Sequence, residues 1–280
     1  MTTDLSWMVK DIVDNVPRAR HAVVLSADGI PRGATDGLTE RDVRAISAAM
    51  AGMQSLSRAT SGFLGPGQGR QWNQTIVEFA HGWIFLIAAG DGAYLAAAAE
   101  PDVDIEQISY RMNRLVSRLG DNLTSAPRVS AADLMDEAAR RSGPREGLGG
   151  PAVVLPELDK AIAGVRGALH AVLLGVNGLP RGSSSGMDKD LADRISAAMM
   201  GLHAYSRATS HFSGAPDEAD WRQTVIEFQH GWVFLIAAGD GAYLAAAAEH
   251  DCDIEEFTTR LQDVVPALSG APRGGTAGHA

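Results

Sequence analysis

The sequence predicts an α+β protein built from two tandem copies of one domain, each an antiparallel sheet with helices on its faces. Three observations carry this. The string FLIAAGDGAYLAAAAE stands at residues 85–100 and again, letter for letter, at 234–249, a constant shift of 149. The same shift lays GIPRG at 29–33 on GLPRG at 178–182, ISAAM at 46–50 on ISAAM at 195–199, and SRATS at 57–61 on SRATS at 206–210. Between residues 72 and 100, five of 29 positions differ from their counterparts (73, 76, 77, 80 and 84). This period far exceeds the roughly 20–50 residues of a solenoid repeat, so the duplicated object is a whole domain. Finally, within each copy the apolar period switches from helical to alternating and back, in the order α-β-β-α-β-β-β-α.

Each element has its own reason. In residues 4–16, Leu5, Met8, Val9, Ile12, Val13 and Val16 recur at helical spacing and Pro17 follows; Leu158, Ile162 and Val165 repeat the arrangement. HAVVLSADG and HAVLLGVNG are β-branched runs closed by Asp-Gly or Asn-Gly. Those dipeptides predict a two-residue hairpin with positive φ at both central residues. A long helix is predicted over about 39–60 and 188–209, with Thr39 and Asp188 as N-caps. Val43, Ile46, Met50 and Met53 form one stripe, and Ala45, Ala48, Ala49 and Gly52 a second of small residues. The counterparts in the second copy are Leu191, Ile195, Met199, Leu202 and Tyr205. So wide an apolar surface predicts more than one packing neighbour. QTIVEFAHGWIFLIAAGDGAYLAAAAE then reads as three strands, turning at His81-Gly82 and at Gly90-Asp91-Gly92. The Tyr94–Ala99 run is alanine-rich and favours helix by propensity, but its shortness and the hairpin signal before it assign it to a strand. DIEQISYRMNRLVSRL and DIEEFTTRLQDVVPAL supply the last helix of each copy.

Bulk properties bound the function. A chain of 280 residues holds about two domains. A net charge of −10 argues against nucleic acid or an anionic membrane as the main partner. MTTDLSWMVKD has neither a basic nor an apolar leader region, so no signal peptide is expected, and no stretch approaches a membrane span. Cys252 is the single cysteine, which excludes an internal disulfide and a cysteine-rich zinc site. A cytoplasmic protein is the expectation. The domains are expected at 1–120 and 152–268, with a linker at 121–151 carrying a short helix near 130–141 and a flexible tail at 269–280.

The element order, the long second helix and the apolar meander with its HGW and GDG turns resemble the roadblock/LC7 family. The likeness is nearest to bacterial members that partner small Ras-like GTPases in gliding-motility and conservon systems. It covers roughly 4–120 and 152–268. The resemblance implies a five-stranded antiparallel sheet in the order 2-1-5-4-3, with the long helix on one face and the other two helices on the opposite face. It also implies pairing of two domains through their third strands, with the long helices antiparallel. Fusion would make that pairing an intrachain pseudo-dimer at high effective concentration. The residues this assigns to the interdomain interface are Ile46, Met50, Met53, Thr75, Val77, Ile195, Met199, Leu202, Thr224 and Ile226. The implied function is a non-enzymatic adaptor or regulator of a small Ras-like GTPase in a bacterial signalling module. The alternatives are a small-molecule sensor of PAS- or GAF-like character and a purely structural scaffold.

Residues that look chemical read otherwise when the copies are compared. GPGQGR at 65–70 is glycine-rich, but its counterpart GAPDEAD at 214–220 is acidic and no GK[ST] follows, so it is read as a loop. The duplicated Gly-Asp-Gly is a hairpin requirement. Glu78 and His81, like Glu227 and His230, are three apart, which on a strand places them on opposite faces. Cys252 corresponds to Val103. No catalytic or metal-ligand spacing recurs in both copies, so no catalytic, cofactor or metal residue is assigned. Arg58 and Arg207, in the duplicated SRATS, complement the helix C-terminus or reach a GTPase surface.

Overall fold

The computed structural model describes residues 5–65, 71–90, 92–119, 153–214, 221–239 and 241–269. The helix expected near 130–141, the tail from 270, most of GPGQGR and GAPDEAD, and Asp91 and Asp240 lie outside them. The described residues form two compact units whose boundaries cross the sequence copies. One contains 5–59, 71–119 and 201–227; the other contains 60–65, 153–200 and 228–269.

In the first copy the elements are α1 (Ser6–Asn15), β1 (Ala19–Ser26), β2 (Pro31–Ala34), α2 (Glu40–Ala59), β3 (Trp72–Phe79), β4 (Gly82–Ala88), β5 (Ala93–Ala99) and α3 (Ile105–Leu119). The second copy supplies α4 (Pro156–Ala163), β6 (Ala168–Gly175), β7 (Pro180–Ser183), α5 (Lys189–Ala208), β8 (Trp221–Phe228), β9 (Gly231–Ala237), β10 (Ala242–Glu249) and α6 (Ile254–Ser269). A 3-10 turn follows each long helix, at Thr60–Leu64 and Ser210–Ser213.

In the first compact unit the strands lie in the order β2-β1-β5-β4-β3-β8, so a strand of the second copy is hydrogen-bonded beside β3. β1, β2, β4 and β5 pair antiparallel with their neighbours. Across β3 and β8, Gln74 Nε2 donates to Glu227 Oε2 (2.5 Å) and Gln223 Nε2 donates to Glu78 Oε2 (2.7 Å). These crossed contacts at opposite ends set the two strands antiparallel, with each copy giving and receiving the same bond. Arg222 adds an ion pair to Glu78 at 3.2 Å.

Strand alternation divides the core into two layers. Ala22, Val24, Phe85, Ile87, Leu95, Ala97 and Ala99 face α1 and α3, meeting Met8, Val9, Ile12, Ile108, Met112 and Leu115. The alanines of β5 leave room for these helices. Arg111 locks α3 to α1 through two bonds to Asp11, at 2.7 and 2.8 Å. On the opposite face α2 packs against β1 and β3 and buries Ile46, Met50 and Met53. Thr39 caps α2, accepting from the Asp42 N–H at 3.2 Å, and Asp104 caps α3 through the Gln107 N–H at 2.9 Å. In the second compact unit β9, β10, β6 and β7 follow in that order, mirroring β4, β5, β1 and β2.

The β1–β2 connection corrects the two-residue hairpin. Gly29 has φ 78°, but Asp28 is not in the positive-φ region. The Gly29 N–H donates to Ser26 O at 2.9 Å and the Ser26 N–H to Ile30 O at 2.9 Å, and the register shifts between Val24 and Leu25. This is a type I turn ending in a left-handed glycine with a bulge. The second copy turns in the same way, with Gly175 in place of Ser26: the Gly178 N–H donates to Gly175 O at 2.9 Å and Gly178 has φ 74°. In the first copy the Ser26 Oγ adds a bond to the Asp28 carboxylate and accepts from the Ile30 N–H at 3.2 Å. The small-residue stripe of α2 is also only partly buried: Ala49 is covered, whereas Ala45 and Ala48 are exposed.

Candidate protein-docking site

The residues duplicated most closely at the end of each long helix build a buried frame with an exposed rim. In the first copy the Trp72 indole N–H donates to Thr75 Oγ1 at 2.9 Å, and the Ser57 hydroxyl bonds the same oxygen at 2.9 Å. In the second, Trp221 donates to Thr224 Oγ1 at 3.0 Å and Ser206 lies 3.3 Å from it. The serine of SRATS therefore ties the helix to its third strand, and Thr75 and Thr224 are core residues. Next along the helix, Arg58 and Arg207 are exposed.

Within the first compact unit α2 meets the C-terminal half of α5 at two glycines. A Cβ built on Gly52 would stand 2.5 Å from the Tyr205 ring, and one on Gly201 would stand 2.8 Å from Leu56 Cδ1. Gly52 and Gly201 are counterparts, as are Leu56 and Tyr205. A mid-helix glycine costs ~1 kcal/mol relative to alanine, and the close approach of the facing side chain is what each glycine permits. Spacing in the sequence places Gly52 in a small-residue stripe but does not reveal its partner; a glycine at the same place in both long helices was the available signal.

The expected interface residues divide by location. Ile46, Met50, Met53, Thr75, Val77, Leu202, Thr224 and Ile226 are buried in the first compact unit, and Ile195 and Met199 are buried in the second. The outward surface of α2 and the end of α5 instead presents Ala45, Ala48, Arg58, Ala204, Tyr205 (41% exposed) and Arg207. Beneath it, burial raises the Tyr94 phenol above its ordinary range, with Arg58 acting in the opposite sense. Burial, reinforced by Arg207, pushes the His203 imidazole down to about 4, so its ring is neutral at pH 7.

Among the described residues no group of three or more His, Cys, Asp or Glu is placed to hold a metal ion. Nor is any described helix long and apolar enough to cross a membrane. His81 lies in the β3–β4 turn and is exposed. Cys252 is buried, and burial with Asp251, Asp253 and Glu256 pushes its thiol up to about 11, far from a reactive thiolate. This arrangement offers contact area and charge.

The Roadblock/LC7 domain matches the chain twice, over residues 5–99 and 155–248, and the chain belongs to that family. No curated protein matches it. Among solved structures, a Roadblock/LC7 domain from Streptomyces avermitilis is 30% identical, over 44% of this chain and 100% of that one, with a TM-score of 0.40. The gliding protein MglB of Thermus thermophilus is 16% identical over 43% and 96%, with a TM-score of 0.36. MglB of Myxococcus xanthus is 12% identical over 41% and 89%, with a TM-score of 0.35.

Proposed function

We propose that the protein is a non-enzymatic cytoplasmic adaptor that binds a small Ras-like GTPase, within a bacterial signalling module, through the outward surface of α2 and the end of α5. The observation that carries this reading is the exposure of Arg58, Tyr205 and Arg207 among alanines, on helices whose opposite side is buried. Alanines lose no side-chain freedom on binding, and tyrosine and arginine are the residues that most often anchor an interface. Family membership and the resemblance to GTPase-partnering members support the partner class. Residues 1–120 and 152–268 are then two domains held as a pseudo-dimer, with 121–151 as the linker and 269–280 as a tail.

The test is a titration of Ras-like GTPases from the native organism, loaded with GDP or a GTP analogue. Wild type is compared with Arg58→Glu/Arg207→Glu, which reverses two exposed charges outside the core. The variant is expected to bind with a slower on-rate and weaker affinity while keeping its fold, because rim charges act mainly on association. Unchanged affinity in the folded variant would remove the arginines from the surface. Failure of every such GTPase to bind wild type would refute the adaptor reading.

A further inference from the structure

The segments that carry the two 3-10 turns read TSGFL at 60–64 and TSHFS at 209–213. Each packs on the strands of the other copy: Ser210–Ser213 on β1, β4 and β5 in the first compact unit, and Thr60–Leu64 on β6, β9 and β10 in the second. The shared phenylalanine is the anchor. Phe212 is fully buried and stacks on His21 at 6.2 Å, and Phe63 is fully buried and stacks on His170 at 6.2 Å. Two turn positions differ between the copies, Gly62/His211 and Leu64/Ser213, and residues around them differ as well.

In the first compact unit Ser213 lies beside Gly82, and its carbonyl accepts from Arg20 Nη1 at 2.9 Å; Arg20 Nε in turn lies 3.6 Å from Glu100. In the second, the counterpart of Arg20 is Leu169, and Leu64, buried, takes the place of Ser213 over Gly231. The polar turn residue thus goes with the arginine and the apolar one with the leucine. The other position behaves alike. The Thr39 hydrogen bonds hold the Asp42 carboxyl below its usual range, and His211 acts on it in the same sense. The counterpart of Asp42 is Leu191, whose Cδ1 lies 3.8 Å from where a Cβ on Gly62 would be.

We propose that Gly62, Leu64, His211 and Ser213, with Arg20, Asp42, Leu169 and Leu191, form a pairing code: each copy fits the other copy of this chain and rejects its own kind. Two first copies together would seat Leu64 beside the Arg20–Glu100 ion pair and leave Asp42 opposite a glycine. Two second copies together would set His211 against Leu191 and put Ser213 in place of Leu64 over Gly231. The phenylalanine–histidine stack is common to all pairings and supplies affinity; the flanking residues supply the difference, which is how specificity is built.

The experiment exchanges the turns in the full chain: Gly62→His, Leu64→Ser, His211→Gly and Ser213→Leu. Each turn then mismatches the strands it meets within the chain and matches those of its own copy. The expected result is a fall in Tm of about 5 °C and concentration-dependent association of chains beyond that of wild type in sedimentation. Adding Arg20→Leu, Asp42→Leu, Leu169→Arg and Leu191→Asp restores both readings. A fourfold variant that matches wild type in Tm and mass overturns the code, as does an eightfold variant no better than the fourfold one. If the fourfold variant does not fold, a smaller cycle decides: Ser213→Leu lowers Tm in wild type and not in Arg20→Leu. Equal falls in the two backgrounds overturn the proposal.

Discussion

The two helix–strand junctions, residues 54–75 and 203–224, share a bonding frame and differ in what surrounds it. Both use tryptophan, threonine and serine in the same positions, with bonds between 2.9 and 3.3 Å. In the first copy Trp72 meets the edge of Tyr94 at 5.7 Å, and position 54 is a buried glutamine. In the second, that helix position is His203, and its ring meets Trp221 edge-on at 4.7 Å. The comparison teaches that the hydrogen bonds set the junction, while the second copy places a ring of its helix against the tryptophan. It also teaches that divergence placed an ionisable ring in one copy alone at this position.

The largest expected effect tests whether the frames are equivalent. Thr75→Val and Thr224→Val each remove the acceptor of a buried indole N–H and the partner of a serine. Each should cost about 1–3 kcal/mol in chemical denaturation, because a buried donor left unpaired forfeits its full desolvation energy. The costs should agree within about 1 kcal/mol; a wider gap would mean that one junction carries more of the fold.

A smaller effect separates the two sides of the helix crossing. Alanine is favoured over glycine inside a helix by ~1 kcal/mol, so Gly52→Ala and Gly201→Ala start with the same gain. Gly52→Ala meets three ring atoms of Tyr205 within 2.9 Å, a planar group that must move as a whole. Gly201→Ala meets a methyl of Leu56 that can change rotamer. Thermal melts should show Gly52→Ala below Gly201→Ala, and Tyr205→Ala should erase the deficit of Gly52→Ala. Identical melts for the two single variants would remove the packing distinction.

The smallest effect is confined to acid. His203 has a folded pKa of about 4 against about 6.5 unfolded, so below pH 6.5 the unfolded chain binds the extra proton. Its contribution is fully present above pH 6.5 and is lost as pH falls toward 4. His203→Gln, which copies position 54, should leave Tm at pH 7.5 nearly unchanged and flatten its decline between those values. The lowered pKa values of His21 and His170 keep part of the decline in both proteins. An unaltered pH profile would show that His203 is not the group that titrates.

Much of the fold was legible because its signals are local. Val43, Ile46, Met50 and Met53 mark one side of a helix whatever that side meets. The alternation through residues 72–99 marks strands, and the hairpin signal overrode the alanine propensity of β5 correctly. The candidate site was legible in outline through Arg58 and Arg207. Its geometry was not: the spacing puts Tyr205 in the apolar stripe, whereas its ring lies on Gly52 of the other copy and is still 41% exposed. The Asp28-Gly29 and Asn177-Gly178 turns differ from the two-residue hairpin that the dipeptides predict, because only the glycine takes positive φ and the preceding residue stays in the right-handed turn.

The sequence alone determined the duplication, the element order and the helix and strand faces, since these rest on spacing within a few residues and on identity at a shift of 149. It also recorded every difference between the copies, including those at 62, 64, 211 and 213. What only the tertiary structure decided was which differences belong together. Arg20 and Ser213 are 193 residues apart, and no periodicity links positions at that separation. Their match exists because a turn from one copy lies on strands of the other, and a contact of that kind is set by the packing of the whole chain.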